Sequence, residues 1–257
     1  TASSPSLILQ LDAELESKPW ELMEVLGKPL ALQAAVSRTP VGLTSAARGR
    51  PMFREPVRAL LIGDPTGNLP VARAEVEEIA KLYHKPIVLI GDDANAEDVG
   101  EVTLRGCDVI HFAGSAWCDS QDMYLVLAGG THLTDDLIRP GLSHRPPCVV
   151  MLNSHYTAFV PPGVGWKGPD PMKATSGGRM GFTEVMMRAG VGVFVGCFGA
   201  PSDTGGAAVA LAFHRALLTG VSAAEALRRA RNAPTVPKDD PTPLLYSLSG
   251  YGDLALE

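Results

Sequence analysis

Apolar runs and helical-period stripes alternate along most of this chain. Leu7-Ile8-Leu9-Gln10-Leu11 reads as a strand, and Lys18-Pro19-Trp20-Glu21-Leu22-Met23 as a short helical turn opened by Pro. Leu30 to Val36 reads as a second strand. Gly42 to Pro56 is rich in Gly, Arg and Pro, lacks periodicity and reads as a loop. Then a regular alternation begins. Val57 to Gly63 is a buried strand, and Ala72, Val76, Ile79 and Tyr83 recur behind it at helical spacing. Further strands are expected at Pro86 to Ile90, Asp108 to Ala113, Cys148 to Leu152 and Gly190 to Phe198. Asp93 can cap a short helix after the second of these core strands. Helices are expected at about 134–142 and 178–189, and Val209, Phe213, Ala216 and Leu217 line one face of another. Ser222 with Glu225 three residues later makes a capping box for a last helix.

Strands separated by helices pair in parallel through right-handed crossovers. Their near-continuous apolar character fits a sheet covered on both faces. The pattern therefore predicts an α/β fold, three layers deep, with a mainly parallel sheet. One insert breaks the rhythm. Tyr124 to Ala128, Gly129-Gly130 and Thr131 to Leu133 read as a β-hairpin with a Gly-Gly turn. Asp240 to Leu254 is expected to return as a terminal strand or cover.

Composition narrows the function classes. The chain has 257 residues, and 46% of them are apolar, enough for a full core. The formal net charge is −6, which argues against nucleic acid, because phosphate binding needs clustered Lys and Arg. The basic cluster Arg228, Arg229 and Arg231 sits where a helix C-terminus expects cations. No apolar run reaches the length of a membrane span. The four cysteines, Cys107, Cys118, Cys148 and Cys197, form neither a CxxC pair nor a disulfide framework. A reducing, cytoplasmic setting is expected. The first residue is Thr, so the chain reads as a fragment or a processed form.

In an open parallel sheet the chemistry gathers at the carboxyl ends of the strands. Three ends are informative: His111-Phe112-Ala113-Gly114-Ser115, Leu152-Asn153-Ser154-His155, and Gly196-Cys197-Phe198-Gly199-Ala200-Pro201-Ser202-Asp203. Together with Pro19-Trp20-Glu21-Leu22, Leu127-Ala128-Gly129-Gly130, Gly178-Arg179-Met180-Gly181-Phe182, Asp240-Pro241-Thr242 and Tyr251-Gly252-Asp253, they carry a resemblance. In this order and over nearly the whole chain, the sequence is similar to the CHAT domain, a branch of the caspase-like cysteine peptidases.

The resemblance implies a caspase-like αβα sandwich and a cysteine–histidine dyad. Active members read roughly His-Phe-Ala-Gly-His-Gly at the first of these loops, and the second His is catalytic; it falls on Ser115. They read roughly Leu-Asn-Ala-Cys at the second, and the Cys is the nucleophile; it falls on His155. A serine is no base at neutral pH, and an imidazole is a poor substitute for a thiolate that must form a thioester. The resemblance thus implies a degenerate dyad, Ser115 and His155, in a cleft lined by His111, Gly114, Asn153, Ser154, Ser202 and Asp203. It implies one domain over 1–257, with N-terminal strands and turn to 41, a loop at 42–56, the core at 57–232 and a return segment at 233–257.

The expected function is a pseudopeptidase module that binds a protein or peptide, such as an active CHAT chain or helical repeats, in bacterial defence or signalling. The alternative is a hydrolase using Ser115 and His155 with reversed roles. Cys118 is the one loop cysteine near the cleft, but Asp119 beside it would raise its thiol pKa. His111 also reads as a structural histidine at its strand end. His111, His132, His144 and His155 lack a ligand motif, so neither a metal nor another cofactor is expected. Gly63 to Asn68 has no Lys and no phosphate-loop pattern. Trp117 and Trp166 are loop tryptophans that can serve as partner contacts or as lids.

Overall fold

The structure is a computed structural model that describes residues 5–40, 52–53, 55–118, 123–158, 181–236 and 239–256. In chain order the strands are β1 (Ser6–Leu11), β2 (Glu24–Val25), β3 (Lys28–Pro29), β4 (Ala35–Pro40), β5 (Ala59–Gly63), β6 (Ile87–Ile90) and β7 (Val109–Ala113). Then come β8 (Ala116–Cys118), β9 (Met123–Val126), β10 (His132–Thr134), β11 (Val149–Asn153), β12 (Val193–Cys197) and β13 (Tyr246–Gly250). The α-helices are α1 (Ala13–Glu16), α2 (Leu30–Gln33), α3 (Pro70–Ala80), α4 (Ala96–Arg105) and α5 (Asp135–His144), then α6 (Phe182–Ala189), α7 (Asp203–Leu217) and α8 (Ala223–Arg231).

Eight strands form one sheet in the order β1-β4-β13-β12-β11-β7-β5-β6. All neighbours run parallel except β12 and β13, which are antiparallel. The alternation of side chains along each strand sorts the core into two layers. Leu61, Val109, Val149, Met151 and Val195 face Val76 and Ile79 of α3, Phe213 of α7 and Leu227 of α8. Leu60, Ile110, Phe112, Val150 and Phe194 face Val99 of α4, Leu142 of α5 and Met186 of α6. The molecule is the expected three-layer αβα sandwich.

Several local expectations change. Leu30 to Val36 is not one strand: Pro29 precedes a turn of good helix formers, Leu30 to Gln33, and pairing starts only at Ala35. Asp93 lies in a 3-10 turn, and the cap of α4 is Asn95, whose Oδ1 accepts the Asp98 N–H at 2.9 Å. The hairpin β9–β10 gains a third, antiparallel strand, β8, from the segment after Ser115. Ser222 caps α8, but the Glu225 carboxylate turns to Arg228 and Arg229 instead of closing the box. The return segment does not sit at an edge. It inserts β13 between β12 and β4, which joins the N-terminal strands to the core sheet. Trp166 and residues 178–180 lie outside the described residues. Among the described residues, no helix is long and apolar enough to cross a membrane.

Candidate functional site: a cleft above a buried hydrogen-bond chain

A cleft of about 220 Å³ opens at the carboxyl ends of β7 and β11. The N-terminal turns of α3 and α7 form its sides. Gly114, Ser115, Asn153, Ser154, His155, Ser202 and Asp203 all line it. Ser115, His155 and Asp203 are exposed, whereas Ser154 is buried. His111, expected at the wall, is instead fully buried one layer behind it. Trp117 follows on β8 and is half exposed. The side chain of Cys118 lies outside the described residues.

Two glycines let backbone come close here. A Cβ on Gly114 would meet Phe112 at 2.8 Å and Pro65 at 2.9 Å, so the turn out of β7 admits no side chain. A Cβ on Gly206 would meet the Asn153 amide at 3.0 Å, so α7 approaches β11 only through a bare backbone. The loop that carries His155 is tied down. Thr157 donates its hydroxyl to the Leu152 carbonyl at 2.9 Å and accepts the Cys197 N–H at 3.0 Å. Tyr156 takes the left-handed region, at φ 57°, and its N–H reaches the Gly199 carbonyl. On the far side, Ser202 caps α7 and also donates to the Asp240 carboxylate, which clips the return segment to the cleft rim.

Beneath the cleft runs a chain of buried polar side chains. Tyr83 Oη lies 2.7 Å from His214 Nδ1, and His214 Nε2 lies 3.2 Å from His111 Nδ1. His111 Nε2 lies 2.9 Å from Glu75 Oε1. Asn153 Nδ2 donates to both Glu75 oxygens, at 2.7 and 2.8 Å. The Tyr246 hydroxyl donates to Asn153 Oδ1 at 2.5 Å. A carboxylate only accepts, so His111 donates to Glu75 from Nε2. The facing nitrogens of His111 and His214 share one proton, and His214 Nδ1 shares another with the Tyr83 hydroxyl. Burial, and secondarily repulsion from His111, pushes the His214 pKa well below the usual imidazole range. Burial also raises the Tyr246 phenol, with the neighbouring Cys197 and Glu75 adding to the effect.

Sequence reasoning did not single out Glu75, His214 or Tyr246. The signal was there for Glu75: it lies three residues after Ala72 and one before Val76, on the buried face of an amphipathic helix. His214 follows Phe213 in an apolar helix in the same way.

The described thiols stand apart from the cleft. Cys107, Cys148 and Cys197 are buried and do not line it. Burial pushes the Cys107 thiol up to about 11 and the Cys197 thiol higher still, so both stay protonated and unreactive. Among the described residues, no three of His, Cys, Asp or Glu are grouped to hold a metal ion.

A family model described as "CHAT domain" matches residues 1–243. No curated protein matches the chain. Among solved structures, it is similar to the Arg specific cysteine proteinase gingipain R (RGPB), with 13% identity, a TM-score of 0.63, and 88% of this chain covering 56% of that one. The complex of Porphyromonas gingivalis RgpB pro- and mature domains matches at 12% identity and a TM-score of 0.54, with 86% and 56% covered. The Saccharomyces cerevisiae separase–securin complex matches at 12% identity and a TM-score of 0.61, with 95% of this chain and 15% of that one covered. The chain thus spans about half the length of the gingipain chains and a small part of the separase complex chain. At these identities the likeness is one of fold, the caspase-like αβα sandwich.

Proposed function

The chain belongs to the CHAT domain family, and from this premise we propose that it is a catalytically degenerate member whose cleft holds a protein or peptide partner without cutting it. One observation carries the reading. Ser115 and His155, where the family resemblance puts the catalytic His and Cys, line the same cleft, and none of the described thiols does. A cysteine peptidase needs a thiolate beside an imidazole. A hydroxyl beside an imidazole keeps the shape of such a site and loses its nucleophile.

The partner is an active chain of the same family or the helical repeats of the same system, and the setting is bacterial defence or signalling in the cytoplasm. The separase structure holds the partner securin, which supports a protein partner for this fold. Residues 1–257 act as one domain in this reading, and the shared sheet of β4, β13 and β12 supports that.

A second reading has one observation in its favour. Ser115 and His155 are both exposed in the cleft, so a Ser–His hydrolase with reversed roles has its two groups at hand. It lacks an orienting partner for the imidazole among the described contacts. One experiment separates the two. The chain is incubated with a fluorophosphonate probe and a broad peptide and ester library. The binding module leaves the probe unreacted and the library uncut. Labelling of Ser115 that disappears in His155→Ala overturns that reading in favour of the hydrolase.

A further inference from the structure

The small sheet beside the cleft turns a row of rings outward. In an antiparallel pair, residues directly opposite each other share a face. Trp117 of β8 stands opposite Tyr124 of β9, and Val126 of β9 opposite His132 of β10. Met123, Leu125 and Leu133, at the alternate positions, are buried. The other face therefore carries Trp117, Tyr124, Val126 and His132. The Tyr124 and His132 rings are stacked, with centroids 3.7 Å apart and planes 8° from parallel. Trp117 is 52% exposed. The same face runs into the cleft. Ser115, two residues before Trp117, lines the cleft, and its carbonyl accepts the Val126 N–H at 2.9 Å.

The register also leaves a backbone edge open. The bond between Ser115 and Val126 marks a hydrogen-bonded pair. Such pairs alternate with non-bonded ones, so Ala116, opposite Leu125, directs its N–H and C=O away from β9. Among the described residues β8 is the outer strand of its sheet, and Ala116 lines the cleft. An N–H and a C=O on one free edge match an extended peptide. Rings on a protein surface can also stack nucleobases. The charge opposes that ligand, because Asp135 and Asp136 follow β10 directly and the net charge is −6.

We propose that the partner peptide adds as a strand to β8 at Ala116 and lays an aromatic side chain on the face of Trp117 and Tyr124. The inference rests on the reading of the cleft as a peptide-binding site, and it names the side chain that such a partner brings beside the cleft. An aromatic side chain gains from offset or edge-to-face contact with these rings beyond the area it buries. Trp117 then serves as a partner contact and not as a lid.

The test uses three blocked tripeptides: acetyl-Ala-Phe-Ala methylamide, its Leu counterpart, and the Phe peptide N-methylated at both alanines. Binding to the full chain is followed by NMR, through the backbone amide of Ala116 and the indole N–H of Trp117. The Phe peptide is expected to shift both signals and to bind about fivefold more tightly than the Leu peptide, the gain that an aromatic pair adds to burial. N-methylation is expected to weaken the Phe peptide by about fivefold, the loss of one hydrogen bond. Trp117→Ala is expected to erase the preference for Phe. Ala116→Pro removes the edge N–H, which makes no bond to β9, and is expected to weaken the Phe peptide as N-methylation does. The comparison of the three peptides on the unaltered protein decides the matter even where a variant fails to fold. Equal binding of the Phe and Leu peptides, equal binding of the N-methylated form, shifts confined to other residues, or no binding by any peptide overturns the inference. Binding of a tetrathymidylate with the peptides inert overturns it as well. None of these outcomes involves cleavage or labelling of Ser115, so they remain distinct from failure of the functional reading.

Discussion

Nε2 of His111 lies 2.9 Å from Oε1 of Glu75, and the two side chains join β7 to α3 inside the layer beneath the cleft. Both are buried, at 0% and 3% side-chain exposure, so neither has water as a substitute partner. Removing one side of such a contact leaves the other unsatisfied, which costs more than the bond itself contributed. His111→Ala is therefore expected to lower unfolding stability by about 2–4 kcal/mol, from the lost bond and the cavity together. Urea unfolding at neutral pH measures it. A loss under about 0.5 kcal/mol, the scale of an ordinary surface change, would show that the chain contributes nothing to stability.

The N-terminal segment depends on a second buried pair. Arg38 on β4 donates from Nε to Glu21 Oε1 at 2.9 Å, and its Nη2 reaches the other carboxylate oxygen. The same guanidinium holds the carbonyls of Glu16 and Lys18, each at 2.8 Å, and lies 4.5 Å from the centre of the Phe198 ring. It thus ties the turn around Trp20 and β4 to the loop after β12. Arg38→Met strands Glu21 in the core and is expected to cost about 3–5 kcal/mol. Adding Glu21→Leu removes the stranded charge, so the double variant should recover a large part of that loss. A double-mutant cycle by denaturant unfolding reads the coupling, and strictly additive losses would contradict it.

Much of this layout was legible in the residues, for reasons that vary along the chain. β5, β7, β11 and β12 announced themselves because a strand covered on both faces must be apolar throughout. α2 was misread as strand because four residues give too short a window to separate periods 2 and 3.6. β8 was missed because Ala116-Trp117-Cys118 gains its strand character only by pairing with β9. The loop residues around Ser115 and His155 came from the ordered family motifs. The chain through Glu75, His111 and His214 has contacts spanning 36 and 103 residues, and single-chain periodicity carries no information at that range.

Glu16 supplies a pH dependence. Burial raises its carboxyl from 4.5 to about 7, and repulsion from Glu184 on α6 adds to the effect, while Arg38 opposes it. The folded state therefore holds the proton more tightly than the unfolded chain does. The contribution of this group is fully present below about pH 4.5 and is lost as pH rises through about 7. Glu16→Gln cannot ionise. It should match the parent near pH 4 and exceed it in melting temperature above pH 7. Parallel melting curves from pH 4 to 8 decide the matter; a constant difference across that range would mean that Glu16 does not titrate with folding.

The spatial partnership of positions 115 and 155 can be read by putting a reporter thiol at one of them. Both residues are exposed and line the same cleft, so substitution there disturbs little packing. His155→Cys places a thiol on the loop after β11, in the cleft that Ser115 also lines. A hydroxyl does little to stabilise a thiolate. Adding Ser115→His places an imidazole there, and an imidazolium neighbour lowers a thiol pKa and raises its thiolate fraction near neutrality. Iodoacetamide should therefore alkylate the double variant faster than His155→Cys alone, by about tenfold at pH 6.5 if the thiol pKa falls by about one unit from its ordinary 8.5. The gap should narrow toward pH 9, where both thiols are largely ionised. Intact mass spectrometry over a time course gives both rates, with the buried Cys107, Cys148 and Cys197 as slow internal controls. Identical rates at every pH would mean that the two loop tips do not face each other, and the degenerate-dyad reading would lose its geometric basis.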